Sequence, residues 1–420
     1  MKILHTADLH LGQIIYQNYD RSDEHQHFFR QLEQWCKDEQ PDALLVSGDV
    51  FDIQQPSNTV KKTFTDYFVH LHQECPQMHI VIIAGNHDSA SRIQADHAVW
   101  QLANTHLIGT PPVINSHEVD EKYIIKLNSG YIVALPYMTG ERKQIIQSIL
   151  DKVAEENTLG LPVIMMAHQA VTGLDVTGHD FEIGKIKTMD EDAFGNGFDY
   201  LALGHIHKPQ TIGHQMDAMN EQMTYKAPVV RYSGSALHVS CDETYPHTVS
   251  LVEIDRHMGD VNIRQLRIDE LRHFYVLPLD GSSFMSSDEA LEFMKKFVSE
   301  GERGYIRFCF NQSTNVPSNF NQLVYDALQP YDEEWRYNPK ILWTGIQDSP
   351  KEDKEQLVFQ VAELQQMKDP MEFIERTKSQ YPGLDLNDVR QAFDEVREEI
   401  RRMEEEKETK TQKKTKDTES

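Results

Sequence analysis

The chain is short of thiols, of basic side chains and of long apolar runs, and each shortage closes off a class of protein. Its four cysteines, Cys36, Cys75, Cys241 and Cys309, stand far apart with no CxxC pair. That excludes a disulfide framework and a thiolate zinc site, and it suits reduced thiols in a cytoplasm. No apolar stretch approaches the roughly 20 residues that cross a bilayer as a helix. The opening Met1-Lys2-Ile3-Leu4-His5-Thr6-Ala7-Asp8 runs straight into a strand-like segment, without the apolar core of a signal peptide. A cytoplasmic protein with no membrane association is expected. There is no P-loop, so any ATP dependence would have to come from another chain.

Positive charge is scarce as well: 41 basic against 67 acidic residues leave a formal net charge of −26. From Lys351 onward there are 19 acidic and 14 basic residues, so most of the acidity belongs to the first 350. Such a balance argues against unaided nucleic-acid binding. Bound divalent cations and local basic groups can still build a phosphate site in an acidic protein.

What is present is a soluble globular composition, 39% hydrophobic, in a chain of 420 residues that is long enough for two or three domains. The first half repeats one device: a short apolar, strand-like run that ends in a cluster of Gly, Asp, Asn and His. The run His79-Ile80-Val81-Ile82-Ile83-Ala84 ends in Gly85-Asn86-His87-Asp88. Open α/β sheets place their sites at that carboxyl edge. There the Asn86 amide oxygen can ligate a hard cation, and the His87 imidazole is left to handle a proton.

The same device appears four more times. Ile3 to Asp8 leads into Asp8-Leu9-His10-Leu11-Gly12, and an extended backbone would put Asp8 and His10 on one face. Ala43-Leu44-Leu45-Val46 ends in Gly48-Asp49-Val50-Phe51-Asp52, with Asp49 at the strand tip and Asp52 able to orient a neighbouring imidazole. Leu161 to Ala167 delivers His168. Asp199 to Leu203 ends in Gly204-His205-Ile206-His207-Lys208, where His205 and His207 share a face and make a good metal pair. Each motif alone has a plainer reading: a surface loop for D-x-H, a cap for Asp52, a core histidine for His168.

Between the strands, residues 20–40 and about 59–73 read as amphipathic helices, the first with Phe28, Phe29, Leu32 and Trp35 on one face. Residues 123–135 read as a hairpin across Asn128-Ser129-Gly130 and shift the pattern toward antiparallel β, as for a second sheet. Gly173 to Gly197 reads as a long surface excursion, and residues 248–268 as a closing hairpin. The expected class is therefore α/β: a two-sheet sandwich flanked by helices over residues 1–271. Residues 272–345 read as a small α/β unit that positions substrate, or as a dimerisation or structural appendage. Residues 346–403 are helical and charged, with an apolar stripe of Val389, Ala392, Phe393, Val396, Ile400 and Met403 that needs a surface to cover it. Residues 404–420 read as a disordered charged tail.

The order D-x-H, G-D, G-N-H-D, H, G-H-x-H resembles the calcineurin-like metallophosphoesterase family over residues 1 to 255. The fuller wording, including Arg231-Tyr232-Ser233-Gly234-Ser235, looks like its bacterial nuclease branch. The resemblance implies that Asp8, His10, Asp49 and His207 hold one manganese, and that Asp49 bridges to a second held by Asn86, His168 and His205. It also implies that His87 protonates or stabilises the leaving oxygen. Asp52 stands where archaeal and eukaryotic relatives carry a second catalytic histidine, and positioning His87 is one role open to it. The resemblance further implies 3′-to-5′ exonuclease action on duplex ends and endonuclease action on single strands and hairpins. The implied setting is a homodimer within a heterotetramer, with a coiled-coil ATPase docked on the C-terminal helices. Mixed oxygen and nitrogen ligands without thiolate independently suit two manganese-like cations. The rival readings keep the metals but act on small phosphodiesters or phosphoproteins, or retain only a scaffold that tethers DNA ends.

Overall fold

The computed structural model describes residues 1–344 except 17–18, 114–118, 141, 176–187, 215–221, 241–242, 244, 302 and 332. Met1–Gly345 form one compact unit. The expected C-terminal helices, their apolar stripe and the charged tail lie outside the described residues, as does the middle of the 173–197 excursion. Among the described residues no helix is long and apolar enough to cross a membrane.

Two sheets face each other. In the first, the strands Lys2–Thr6, Ala43–Ser47, His79–Ile83 and Thr105–Ile108 run parallel, and Thr248–Ile254, Asp260–Arg267 and Gln222–Lys226 extend it antiparallel beyond Lys2–Thr6. Side-chain alternation gives this sheet two apolar faces. Ile3, Ala43, Leu45, Val81 and Ile83 point to the second sheet. Leu4, Leu44, Val46, Ile80 and Ile82 pack against Phe28, Phe29, Leu32, Phe64, Phe68 and Leu71 from the helices Ser22–Glu39 and Asn58–Glu74. The expected hairpin of residues 248–268 forms, and it closes this first sheet.

The second sheet corrects an expectation. Ile124–Leu127 and Gly130–Ala134 do form a hairpin, but Gly130–Ala134, Val163–His168, Tyr200–Gly204 and Val229–Tyr232 are parallel, and only the two edge pairings are antiparallel. The helix Lys143–Glu156, not expected from the sequence, supplies the crossover that a parallel pair needs and buries Ile145, Ile146, Ile149 and Leu150. Parallel order in both sheets brings strand carboxyl ends to a common edge. The sheets meet there, where Ser47 Oγ donates to the Ala202 carbonyl at 3.1 Å.

From His273 the chain builds a further parallel sheet, His273–Leu277, Gly304–Asn311, Trp335–Tyr337 and Leu342–Thr344, over the helices Ser287–Glu300 and Phe320–Leu328. Its own core uses residues four apart on each helix, Ala290, Met294 and Val298, then Phe320, Val324 and Leu328. Glu24 ties it to the first helix. This buried carboxylate accepts from Arg21 Nη2 at 2.6 Å, Tyr305 Oη at 2.6 Å and Arg336 Nη1 at 3.0 Å, with Arg272 Nη1 at 3.4 Å.

Candidate metal centre

The strand Lys2–Thr6 ends before Asp8, so Asp8 and His10 do not share a face by extension, as the two-residue period suggested. Instead Asp8, His10 and Asp49 take positive φ, at 51°, 45° and 48°. Their main chains interlock: Asp8 N–H donates to the Gly48 carbonyl, His10 N–H to that of Asp49, and Leu11 N–H to that of Val50, at 2.9–3.0 Å. Non-glycine residues in this region cost about 1–3 kcal/mol each and persist only where surroundings over-determine them. The left-handed kinks turn both carboxylates and His10 inward, where they are 1–3% exposed.

Two glycines make room. Gly48 sits at φ 88°, and a Cβ there would lie 2.2 Å from His168 Nδ1; one on Gly85 would lie 2.1 Å from Asp49 Oδ1. The Gly48 backbone thus lies against the imidazole at the end of Val163–His168, and the Gly85 backbone against the Asp49 carboxylate. Asp88, quoted in the sequence motif without a role, stitches the turns together. Its carboxylate accepts N–H bonds from Gly85 at 2.8 Å, Phe51 at 2.9 Å and Val50 at 3.1 Å. The readable signal was an Asp three residues after the turn glycine, a local backbone acceptor.

His168 donates Nδ1–H to the Ser47 carbonyl at 2.8 Å, which leaves Nε2 facing Asn86 Oδ1 at 3.0 Å and Asp49 Oδ2 at 3.2 Å. His205 Nδ1 approaches the same Asn86 oxygen at 2.8 Å, and the His205 N–H donates to both Asp8 oxygens at 3.1 Å. His205 has φ 90°, so it and His207 part company instead of sharing a face. His205 groups with Asp49 and His168; His207 groups with Asp8 and His10; in each group the ligand atoms lie within 4.8 Å of one another. Asp52 and His87 form a third group with His10. All nine candidate residues named from the sequence are therefore brought into one neighbourhood.

Asp52 lies against two neighbouring imidazoles. His87 Nδ1 donates to its main-chain carbonyl at 2.8 Å, while its carboxylate lies 3.4 Å from His10 Nδ1. The His87 ring stands edge-on to that of His10, 5.1 Å between centroids.

The donor set fits cations. His10 Nε2 is buried with no hydrogen-bond partner among the described residues. Oxygen and nitrogen atoms of Asp49, Asn86, His168 and His205 converge, a donor set suited to a cation. Burial opposes a charge on His168, but Asp49 lifts its imidazole to about 9. Burial likewise opposes ionisation of Asp49, yet His168, His10 and His87 hold its carboxyl well below the usual range. Burial pushes Asp8 up to about 7, with Asp49 adding to the rise against the pull of His168.

Residues 1–209 match the family described as calcineurin-like phosphoesterase. This part of the chain belongs to that family. The phosphoesterase domain carries every candidate residue named above. The chain is 30% identical to the D subunit of the nuclease SbcCD from Rhodobacter capsulatus over 287 residues, 60% of this chain and 66% of that protein. It is 28% identical to the proteins of the same name from Escherichia coli K12, over 60% of this chain and 65% of that one, and Bacillus subtilis 168, over 60% and 66%. These matches span just under two thirds of the relatives' own length.

Proposed function

We propose that this chain is the nuclease subunit of an SbcCD-like complex, a DNA phosphodiesterase that uses two divalent cations. The observation that carries the reading is Asp49, a buried carboxylate in contact with His168 on one side and joined to His10 through its main chain on the other. The likeness to the D subunits of three bacterial SbcCD nucleases supports DNA as substrate. Asp8, His10, Asp49 and His207 would hold one cation, and Asp49, Asn86, His168 and His205 the other. Oxygen and nitrogen donors without thiolate suit Mn²⁺. A cation pair in such a site supplies charge neutralisation at a phosphodiester and activation of water.

The chain's own residues do the rest. His87 donates Nδ1–H to the Asp52 carbonyl, so its Nε2 is the atom that exchanges a proton with the leaving oxygen. Asp52 thereby sets the His87 ring through its main chain and His10 through its carboxylate. Residues 272–345 act as a cap that positions DNA, and 346–403 dock an SbcC-type coiled-coil ATPase, whose surface supplies the DNA grip that an acidic chain lacks; 404–420 are a charged tail. The working assembly is a cytoplasmic heterotetramer with two copies of this chain, acting on DNA ends and hairpins in repair, recombination and replication.

The test is an assay of purified protein on end-labelled duplex and hairpin DNA with Mn²⁺, Mg²⁺ or chelator, with and without the ATPase. Mn²⁺-dependent shortening from 3′ ends and hairpin opening are expected. Hydrolysis of small phosphodiesters with no action on any DNA would overturn the reading.

A further inference from the structure

We infer that Glu243 is a positioning residue for His207, setting which ring nitrogen faces the metal centre and so the affinity of one cation site. The inference rests on the two-cation reading above. It starts from a carboxylate with no place in the sequence motifs: the Glu243 side chain is wholly buried, so its charge demands partners. Glu243 Oε1 lies 3.0 Å from His207 Nδ1. Glu243 Oε2 accepts the Val239 N–H at 3.0 Å and lies 3.4 Å from His247 Nε2.

A second contact holds His207 through its main chain. The Ser235 N–H donates to the His207 carbonyl at 3.0 Å, and the Ser235 carbonyl accepts from His247 Nδ1 at 2.9 Å. His207 is thus held by its imidazole at Glu243 and by its main chain at Ser235. In its ionised form Glu243 only accepts hydrogen bonds, and it then requires a proton on His207 Nδ1. The neutral ring then carries its lone pair on Nε2, toward the group formed with Asp8 and His10. A carboxylate on the far nitrogen also raises the basicity of the nitrogen that binds metal, and loss of such a partner costs about tenfold to a hundredfold in metal affinity. In the other group His168 donates to the neutral Ser47 carbonyl, and the contacts of Glu243 run to His207, Val239 and His247, so its effect falls on the site of His207.

The test is titration of the full chain with Mn²⁺ in the absence of DNA, following free Mn²⁺ by electron paramagnetic resonance, for the wild type, Glu243→Ala and Glu243→Gln. The wild type should bind two ions. In Glu243→Ala one ion should weaken at least about tenfold while the other stays within about twofold. Glu243→Gln should fall between, because its amide oxygen can serve His207 only by turning its NH₂ toward the Val239 N–H. Unchanged affinity for both ions in Glu243→Ala would overturn the inference, and so would equal weakening of both, which marks collapse of the loop. A wild type that binds fewer than two ions would instead sink the two-cation reading.

Discussion

Gly85 backs directly onto Asp49: the Asp49 backbone nitrogen and carboxylate occupy the space a side chain at 85 would need. The turn after the third strand is thus built against the carboxylate at the tip of the second. Gly85→Ala must push Asp49 aside, an overpacking cost of about 1–3 kcal/mol. In the proposed two-cation site Asp49 serves both ions, so Mn²⁺ titration should show both weakened. Wild-type binding in this variant would contradict a shared carboxylate.

His87 makes one ring hydrogen bond, to a main-chain carbonyl, and is exposed. Its replacement by Ala should leave Mn²⁺ stoichiometry and melting temperature near wild type while DNA cleavage falls by about 10²–10⁴. Single-turnover cleavage at saturating Mn²⁺ checks this, and an undiminished rate would remove His87 from the chemistry.

Glu24 satisfies guanidinium groups from both the first helix and the His273–Thr344 unit. Glu24→Ala leaves Arg21, Arg272 and Arg336 buried without their shared carboxylate, which should destabilise the protein by about 3–5 kcal/mol. Urea unfolding followed by tryptophan fluorescence, to which Trp335 in the affected sheet contributes, should show the transition moving to lower denaturant. A midpoint within error of wild type would mean that the aromatic contacts alone hold the junction.

Several histidines resist protonation in the folded chain, His5, His106 and His238 among them. Burial, helped by Arg231, holds His5 down at about 3; burial with His79 and His97 holds His106 at about 4; burial with His247 and Arg21 holds His238 at about 2. All three folded values lie below the ordinary 6.5, so the unfolded chain binds more protons below that pH. The stability these histidines contribute is fully present above about pH 6.5 and is lost as pH falls toward 4. Compared with the wild type by urea midpoints, His106→Gln should lose less stability between about pH 7 and 4. A variant that loses as much as the wild type, or more, would contradict the sign.

Much of this was written locally. Runs such as Ile80 to Ala84 and Ala43 to Val46 announce buried strands, the spacing of Phe28, Phe29 and Leu32 announces a helix, and the histidine and aspartate motifs at strand ends name the residues that gather. The parallel pairing of Gly130–Ala134 with Val163–His168 was not legible, because the deciding helix lies between two segments that look like an antiparallel continuation. Nor were the positive φ values of Asp8, His10, Asp49 and His205, which no side chain in the sequence advertises.

By itself the sequence determined which side chains gather at the sheet edges, because strand and turn propensities are local and the motifs sit where those propensities change. Only the tertiary structure decided how they divide into groups, with His10 in two of them, and that Asp88 and Glu243 hold them there. Those assignments depend on backbone kinks and contacts between segments up to about 200 residues apart, such as Asp8 with His205. Packing between sheets settles such contacts, and no short stretch of chain encodes them.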